Sequence, residues 1–156
     1  MSERVRNALF NIVSDEVKGA DILDVFAGSG AVGIEALSRG AAHATFVERD
    51  RHASNAIESN ATLLGADAQS TFVHSNVEPW ISMCKKQFDI IFVDPPYEDM
   101  QFSTVERLMG LLKPNGLMVL SYPGRGEAPT GTNGVVVVDN RSYGTAALTF
   151  YRQKNA

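Results

Sequence analysis

A short apolar run, Ile22-Leu23-Asp24-Val25-Phe26, feeds into Ala27-Gly28-Ser29-Gly30-Ala31-Val32-Gly33 and then Ile34-Glu35-Ala36-Leu37. The first run reads as a buried strand and the last as the start of a helix pattern. Between them the glycines fall at the spacing Gly-x-Gly-x-x-Gly, the context in which that motif carries meaning. Glycine lets the backbone turn tightly and approach a ligand, and the helix N-terminus that follows offers free amide hydrogens. A chain with this junction is directed towards a sheet of strand–helix–strand units. Alone, the motif indicates a nucleotide-like cofactor. The competing reading is a plain strand-to-helix turn.

The segments downstream extend the pattern. His43 to Glu48 is a second strand, and it ends on an acid. Glu48 lies at the distance from the glycine loop where a carboxylate takes the two hydroxyls of a cofactor ribose. A helix runs through Ala53, Ile57 and Leu64 and stops at Gly65; Asn60 on it receives no role. Thr71 to His74 is a third strand, leading to Ser75-Asn76. Asn76 has donors and acceptors, so it could read an adenine edge, or it could cap the next helix, Val77 to Lys86. Ahead of all this, Ser2 caps a helix whose face is Val5, Leu9, Ile12 and Val13.

The fourth strand, Phe88 to Val93, runs into Asp94-Pro95-Pro96-Tyr97. Neither proline has an amide hydrogen and both have φ fixed near −65°, so the chain leaves the sheet in a stiff turn. The turn presents a carboxylate, carbonyls and an aromatic ring, the parts needed to hold a flat heterocycle bearing an amino group. A strand-ending turn with an exposed tyrosine is the other reading. Next comes a helix with Val105, Leu108, Met109 and Leu112 on one face, ended by Lys113-Pro114-Asn115-Gly116. Leu117 to Tyr122 is a strand, and Pro123 to Gly134 a connection rich in Gly, Pro and Thr. Val135 to Val138 and Ala146 to Tyr151 are the last strands, joined by a hairpin turn over Asp139 to Gly144.

Composition narrows the classes. With 156 residues, 44% of them hydrophobic, the chain can build one real core. No apolar stretch is long enough to span a bilayer, and the N-terminus lacks the apolar segment of a signal peptide. A cytoplasmic protein is expected. The single cysteine, Cys84, excludes an internal disulfide and a Cys-based zinc site. The net charge of −4 means that any surface for a polyanion must be local. Arg4, Arg6, Arg125 and Arg141 are the candidates, each with plain solvent exposure as the rival reading.

Several blocks carry a resemblance: Arg4-Val5-Arg6-Asn7-Ala8-Leu9-Phe10-Asn11, Asp24-Val25-Phe26-Ala27-Gly28-Ser29-Gly30, Glu35-Ala36-Leu37-Ser38-Arg39-Gly40-Ala41, Glu48, Asp94 to Tyr97, and the Tyr143-Gly144 turn. Together they resemble the class I S-adenosylmethionine-dependent methyltransferases, the amino-methylating branch, and most closely the bacterial RsmD family. The resemblance covers nearly the whole chain. It implies an α/β, Rossmann-like fold: a mostly parallel seven-stranded sheet with an antiparallel C-terminal hairpin and helices on both faces. Residues 1–156 are expected to form one methyltransferase domain without the family's usual basic N-terminal extension. The implied reaction is methylation of the exocyclic N2 of a guanine in 16S ribosomal RNA or the assembling small ribosomal subunit. S-adenosylmethionine is the donor and S-adenosylhomocysteine the product, with no metal. A monomer with no membrane partner is expected.

The resemblance also distributes roles. Asp94 and the Pro95 carbonyl would aim the guanine nitrogen and Tyr97 would stack on the base. Gly28, Gly30 and Gly33 would border the methionine and ribose portions of the donor, with Phe26 in the same set and Asp24 near the amino end. Asp24 has a rival role, bracing the loop through backbone amides. Glu48 would hold the ribose, and Asn76 with Val77 the adenine. Asn76 departs from the Asp common at that position. Two other classes stay open: an amino-methyltransferase acting on adenine N6, and, more distantly, a nicotinamide oxidoreductase or a silent binding module.

Overall fold

The structure, a computed structural model, describes residues 1–96, 101–123 and 128–155. In chain order the elements are α1 (Glu3–Val17), β1 (Asp21–Val25), α2 (Ala31–Ser38), β2 (His43–Glu48), α3 (Arg51–Leu64), β3 (Ser70–His74), α4 (Val77–Met83), β4 (Phe88–Val93), α5 (Phe102–Met109), β5 (Leu112–Pro123), β6 (Val135–Tyr143) and β7 (Ala146–Gln153). The seven strands form one sheet in the order β3-β2-β1-β4-β5-β7-β6. β1 to β5 run parallel, while β7 is antiparallel to both β5 and β6. The order reverses between β1 and β4, where an open parallel sheet leaves a crevice beyond its strand ends.

Strand periodicity sends alternate side chains to opposite faces. Ile22, Phe46, Ile90, Phe92, Val119 and Phe150 face one side and pack with α1, α2 and Ile57 of α3. Leu23, Val25, Val47, Ile91, Val93 and Leu120 face the other and pack with α4 and α5. The central strands are thus buried on both faces, which is why they read as near-continuous apolar runs. Ser2 caps α1 as expected, its hydroxyl accepting from the Val5 amide at 3.2 Å. Gly65 closes α3 with a left-handed φ of 74°. Among the described residues no helix is long and apolar enough to cross a membrane.

One helix face and three boundaries differ from expectation. The buried stripe of α1 is Val5, Leu9, Phe10, Val13 and Val17, and Ile12 faces outward. α4 stops at Met83: Cys84 is already extended, and Lys86 leaves the helix to pair with Asp21 at 2.9 Å. Residues Lys113 to Gly116 do not end α5; they lie inside β5. Pairing moves from Phe88–Leu112 to Ile90–Leu117, so the segment bulges, with Asn115 left-handed at φ 64°. Lastly, Asp139 to Tyr143 is strand rather than turn. β6 stays paired with β7 through Tyr143–Ala146 after a register shift between Val137 and Asp139, so the turn shrinks to Gly144-Thr145. Ladder pairing sets these limits, and local composition does not report it.

Candidate active site

The glycine loop leaves β1 through a strained backbone. Phe26 has φ +56°, Gly28 +58° and Gly30 +79°. Glycine tolerates that region; a bulky aromatic does not, and such outliers collect at functional sites. The loop closes as a turn, with the Gly30 amide donating to the Ala27 carbonyl at 2.8 Å. Glu48, at the end of β2, fixes it from the side. Its Oε1 accepts from the Gly28 amide at 2.8 Å, and its Oε2 from the Asp50 amide at 2.8 Å. Asp50 in turn caps α3 by accepting from Ala53 N at 2.9 Å. The carboxylate is therefore held still at both oxygens, while each keeps a further lone pair.

Asp24 and Gly33 lie beneath the loop. Asp24 is 3% exposed, and its Oδ2 accepts from the Gly33 amide at 3.0 Å. It does not line the cavity described below, so the bracing role is the one its geometry displays. Burial pushes its carboxyl up to about 8; the Gly33 amide opposes this, and the charges of Asp94 and Glu48 add to it. Gly33 is needed for packing. A Cβ there would sit 2.4 Å from Phe46 Cε1, so α2 can approach β2 only without one. A Cβ on Gly30 would meet Ile57 Cγ1 at 3.0 Å.

Beyond the strand ends a cavity of about 850 Å³ opens at the sheet's reversal point. Its wall brings together seven of the expected residues: Phe26, Gly28, Glu48, Asn76, Val77, Asp94 and Pro95. Pro96 lines it too. Asn76 stands at the N-cap position of α4, yet its side chain makes no cap bond. The capping reading is not realised; Asn76 lines the cavity, and its side chain makes no hydrogen bond among the described residues. Asp94 is half-buried, and its Oδ2 accepts from the Met1 amino group at 2.8 Å. Tyr97 and Arg125 lie outside the described residues.

The far wall was not legible in the sequence. It includes Glu78 and Pro79 of α4 and Gln101, Thr104 and Val105 from the start of α5. The Thr104 hydroxyl and the Arg107 guanidinium both donate to Glu78, and Arg107 Nη2 donates to Ser82 Oγ at 2.8 Å. This clasp holds the helix that follows the Asp-Pro-Pro turn against the helix that carries Asn76. The polar pattern on α5 gave no signal, because its partners are 25 or more residues away.

Arg49 lines the cavity, but Arg4, Arg6 and Arg141 do not. Arg6 donates through Nε to Glu35 at 3.0 Å, and Arg141 through Nε to Asp139 at 2.9 Å. That pairing holds the Asp139 carboxyl below its ordinary value. Arg4 is exposed and makes no ion pair among the described residues. Nor do these residues include a group of His, Cys, Asp and Glu that could hold a metal ion.

A reversed parallel sheet with this strand order, a glycine loop after its first strand and an antiparallel seventh strand defines the class I methyltransferase fold. The solved structure of yhhF from Escherichia coli superposes on it with a TM-score of 0.91 at 32% identity, covering 99% of this chain and 89% of that one. The family described as Conserved hypothetical protein 95 matches residues 1–152, and the chain belongs to that family, the RsmD family. YlbH of Bacillus subtilis is 30% identical over 159 residues, covering 98% of this chain and 86% of that protein. Ribosomal RNA small subunit methyltransferase D of Escherichia coli is 41% identical over 116 residues. That match covers 74% of this chain and 56% of the relative, so the chain spans little more than half of its length.

Proposed function

We propose that this protein uses S-adenosylmethionine to methylate the exocyclic N2 of a guanine in small-subunit ribosomal RNA. The observation that carries the reading is the shared cavity: one wall holds Gly28, Glu48 and Asn76, and another holds Asp94 and Pro95. A relative named for methylation of small-subunit ribosomal RNA supports the substrate class. The residues fit the donor. Glu48 is immobilised with lone pairs to spare for ribose hydroxyls, and Asn76 offers a free amide to an adenine edge. The cavity volume lies in the range of small-molecule sites, roughly 300–1,000 Å³. When bound, the donor supplies an electrophilic methyl on a sulfonium.

The chain's part is mainly to orient the amine. The N2 of guanine is nearly planar, with its lone pair delocalised into the ring. Hydrogen bonds from N2–H to the Asp94 carboxylate and the Pro95 carbonyl localise that pair and aim it. The carboxylate also offsets the positive charge that grows on N2. The released proton goes to Asp94 or to water. Tyr97 stacks on the base, and a paired guanine is swung out of its helix to enter. Arg4, Arg6, Arg125 and Arg141 contact the RNA backbone. The protein works as a monomer in the cytoplasm, on the assembling subunit.

The test is mass spectrometry of ribosomal RNA nucleosides from cells with and without the gene. Loss of one N2-methylguanosine from the small-subunit RNA is the expected result. Unchanged N2-methylguanosine, or loss of an N6-methyladenosine instead, would refute the assignment.

A further inference from the structure

One polar side chain beside the glycine loop holds it from outside the cavity. Asn60, on α3, donates through Nδ2 to the Ser29 carbonyl at 3.2 Å, bridging 31 residues of sequence. Ile57, three residues earlier on the same helix face, is fully buried and would meet a Cβ on Gly30 at 3.0 Å. The same face of α3 therefore touches two successive loop residues, one by packing and one by a hydrogen bond.

The Ser29–Gly30 peptide is held at both polar ends. Its carbonyl accepts from Asn60, and its N–H closes the turn onto Ala27 O at 2.8 Å. The Ala27–Gly28 peptide is held too, its N–H donating to Glu48 Oε1 at 2.8 Å. Through and around these anchors the backbone is left-handed at Phe26, Gly28 and Gly30. Glycine has many alternative conformations, so such a loop keeps one shape only if something outside it fixes the peptide planes.

We propose that Asn60 is a positioning residue for the cofactor: by tying down the Ser29 carbonyl it keeps the glycine loop in its donor-binding shape. It does not line the cavity and touches no reacting atom. An amide is the suitable group. The partner is a carbonyl, so a donor is required, and a neutral one adds no charge beside the loop. The inference rests on the methyl-donor reading of the cavity and deepens it.

The experiment compares wild type, Asn60→Ala, Asn60→Asp and Asn60→Gln. Asn60→Asp keeps the side-chain size but loses the donor at neutral pH. Four quantities are read: affinity for S-adenosylhomocysteine by calorimetry, kcat at saturating donor, melting temperature without ligand, and hydrogen exchange of the Gly30 amide. The expected result is affinity weakened about 3- to 10-fold in the Ala variant, as the loss of one modest hydrogen bond implies. The Asp variant should be weaker still, and Gln should recover part of the loss. In the Ala and Asp variants kcat should stay within twofold and the melting temperature nearly unchanged, while the Gly30 amide exchanges faster. Unchanged affinity and exchange in the Ala and Asp variants would overturn the proposal. So would affinity, kcat and melting temperature falling together, which is the pattern of a general structural role. If the wild type itself bound no S-adenosylhomocysteine, the methyl-donor reading would be what failed; the exchange rate of Gly30 would still decide whether Asn60 holds the loop.

Discussion

Asp24→Asn should make the protein more stable, increasingly so as pH rises. Asp24 is 3% exposed and accepts one hydrogen bond, from the Gly33 amide. Burial raises its carboxyl to about 8 from a value of 3.8. The sign follows from proton counting. Between those values the folded protein holds a proton at Asp24 that the unfolded chain has lost, so raising the pH favours unfolding. One group in this state costs about 1.4 kcal/mol of stability per pH unit, or about 3 kcal/mol between pH 5 and pH 7. Asparagine keeps an oxygen for the Gly33 amide but cannot ionise. The variant's advantage over the wild type should therefore grow by about 3 kcal/mol between pH 5 and pH 7, an effect carried by this single site. Urea titrations of the ligand-free proteins at half-unit steps from pH 5 to 8, with equal m values, give the comparison. A difference between the two that stays flat with pH would refute the reasoning: it would mean that Asp24 ionises in the fold near its ordinary value and that burial does not govern it.

Other perturbations test other joints of the structure. Gly33→Ala places a methyl 2.4 Å from the Phe46 ring, which is buried and stacked on Phe72, so overpacking should cost about 1–3 kcal/mol in denaturant melts despite the better helix former. Ser2→Ala removes the cap on α1 and should lower stability by about 1 kcal/mol, read the same way, with donor affinity unaffected. Glu48→Gln leaves one oxygen to serve the Gly28 and Asp50 amides and should weaken S-adenosylhomocysteine binding at least tenfold by calorimetry. Wild-type binding of NAD in place of S-adenosylhomocysteine in that same titration would contradict the cofactor reading.

What could be read in the sequence was what depends on near neighbours. The glycine spacing, the acid ending β2 and the two prolines ending β4 each act within a few residues, and the cavity gathers Gly28, Glu48, Asp94 and Pro95 as expected. What escaped depends on partners brought close only by folding. Asn60 finds the Ser29 carbonyl 31 positions away, and Glu78 meets Thr104 and Arg107 across two helices. Asp24 shows the same limit. The resemblance places it near the donor with bracing as the rival, and its depth and the Gly33 amide, neither visible in the sequence, display the brace. The bulge at Lys113 to Gly116 and the long β6 were hidden because turn-forming residues were read as turns, whereas pairing with β4 and β7 kept them in strands.

The central claim is that Asp94 serves the transfer and not the binding of the donor. The direct measurement is labelled methyl transfer to small-subunit particles by wild type and Asp94→Ala, alongside the affinity of each for S-adenosylhomocysteine. The account predicts incorporation into N2-methylguanosine by the wild type, loss of nearly all of it in the variant, and affinities within a few-fold of each other. Near wild-type transfer by Asp94→Ala, with the affinity equally intact, would contradict it.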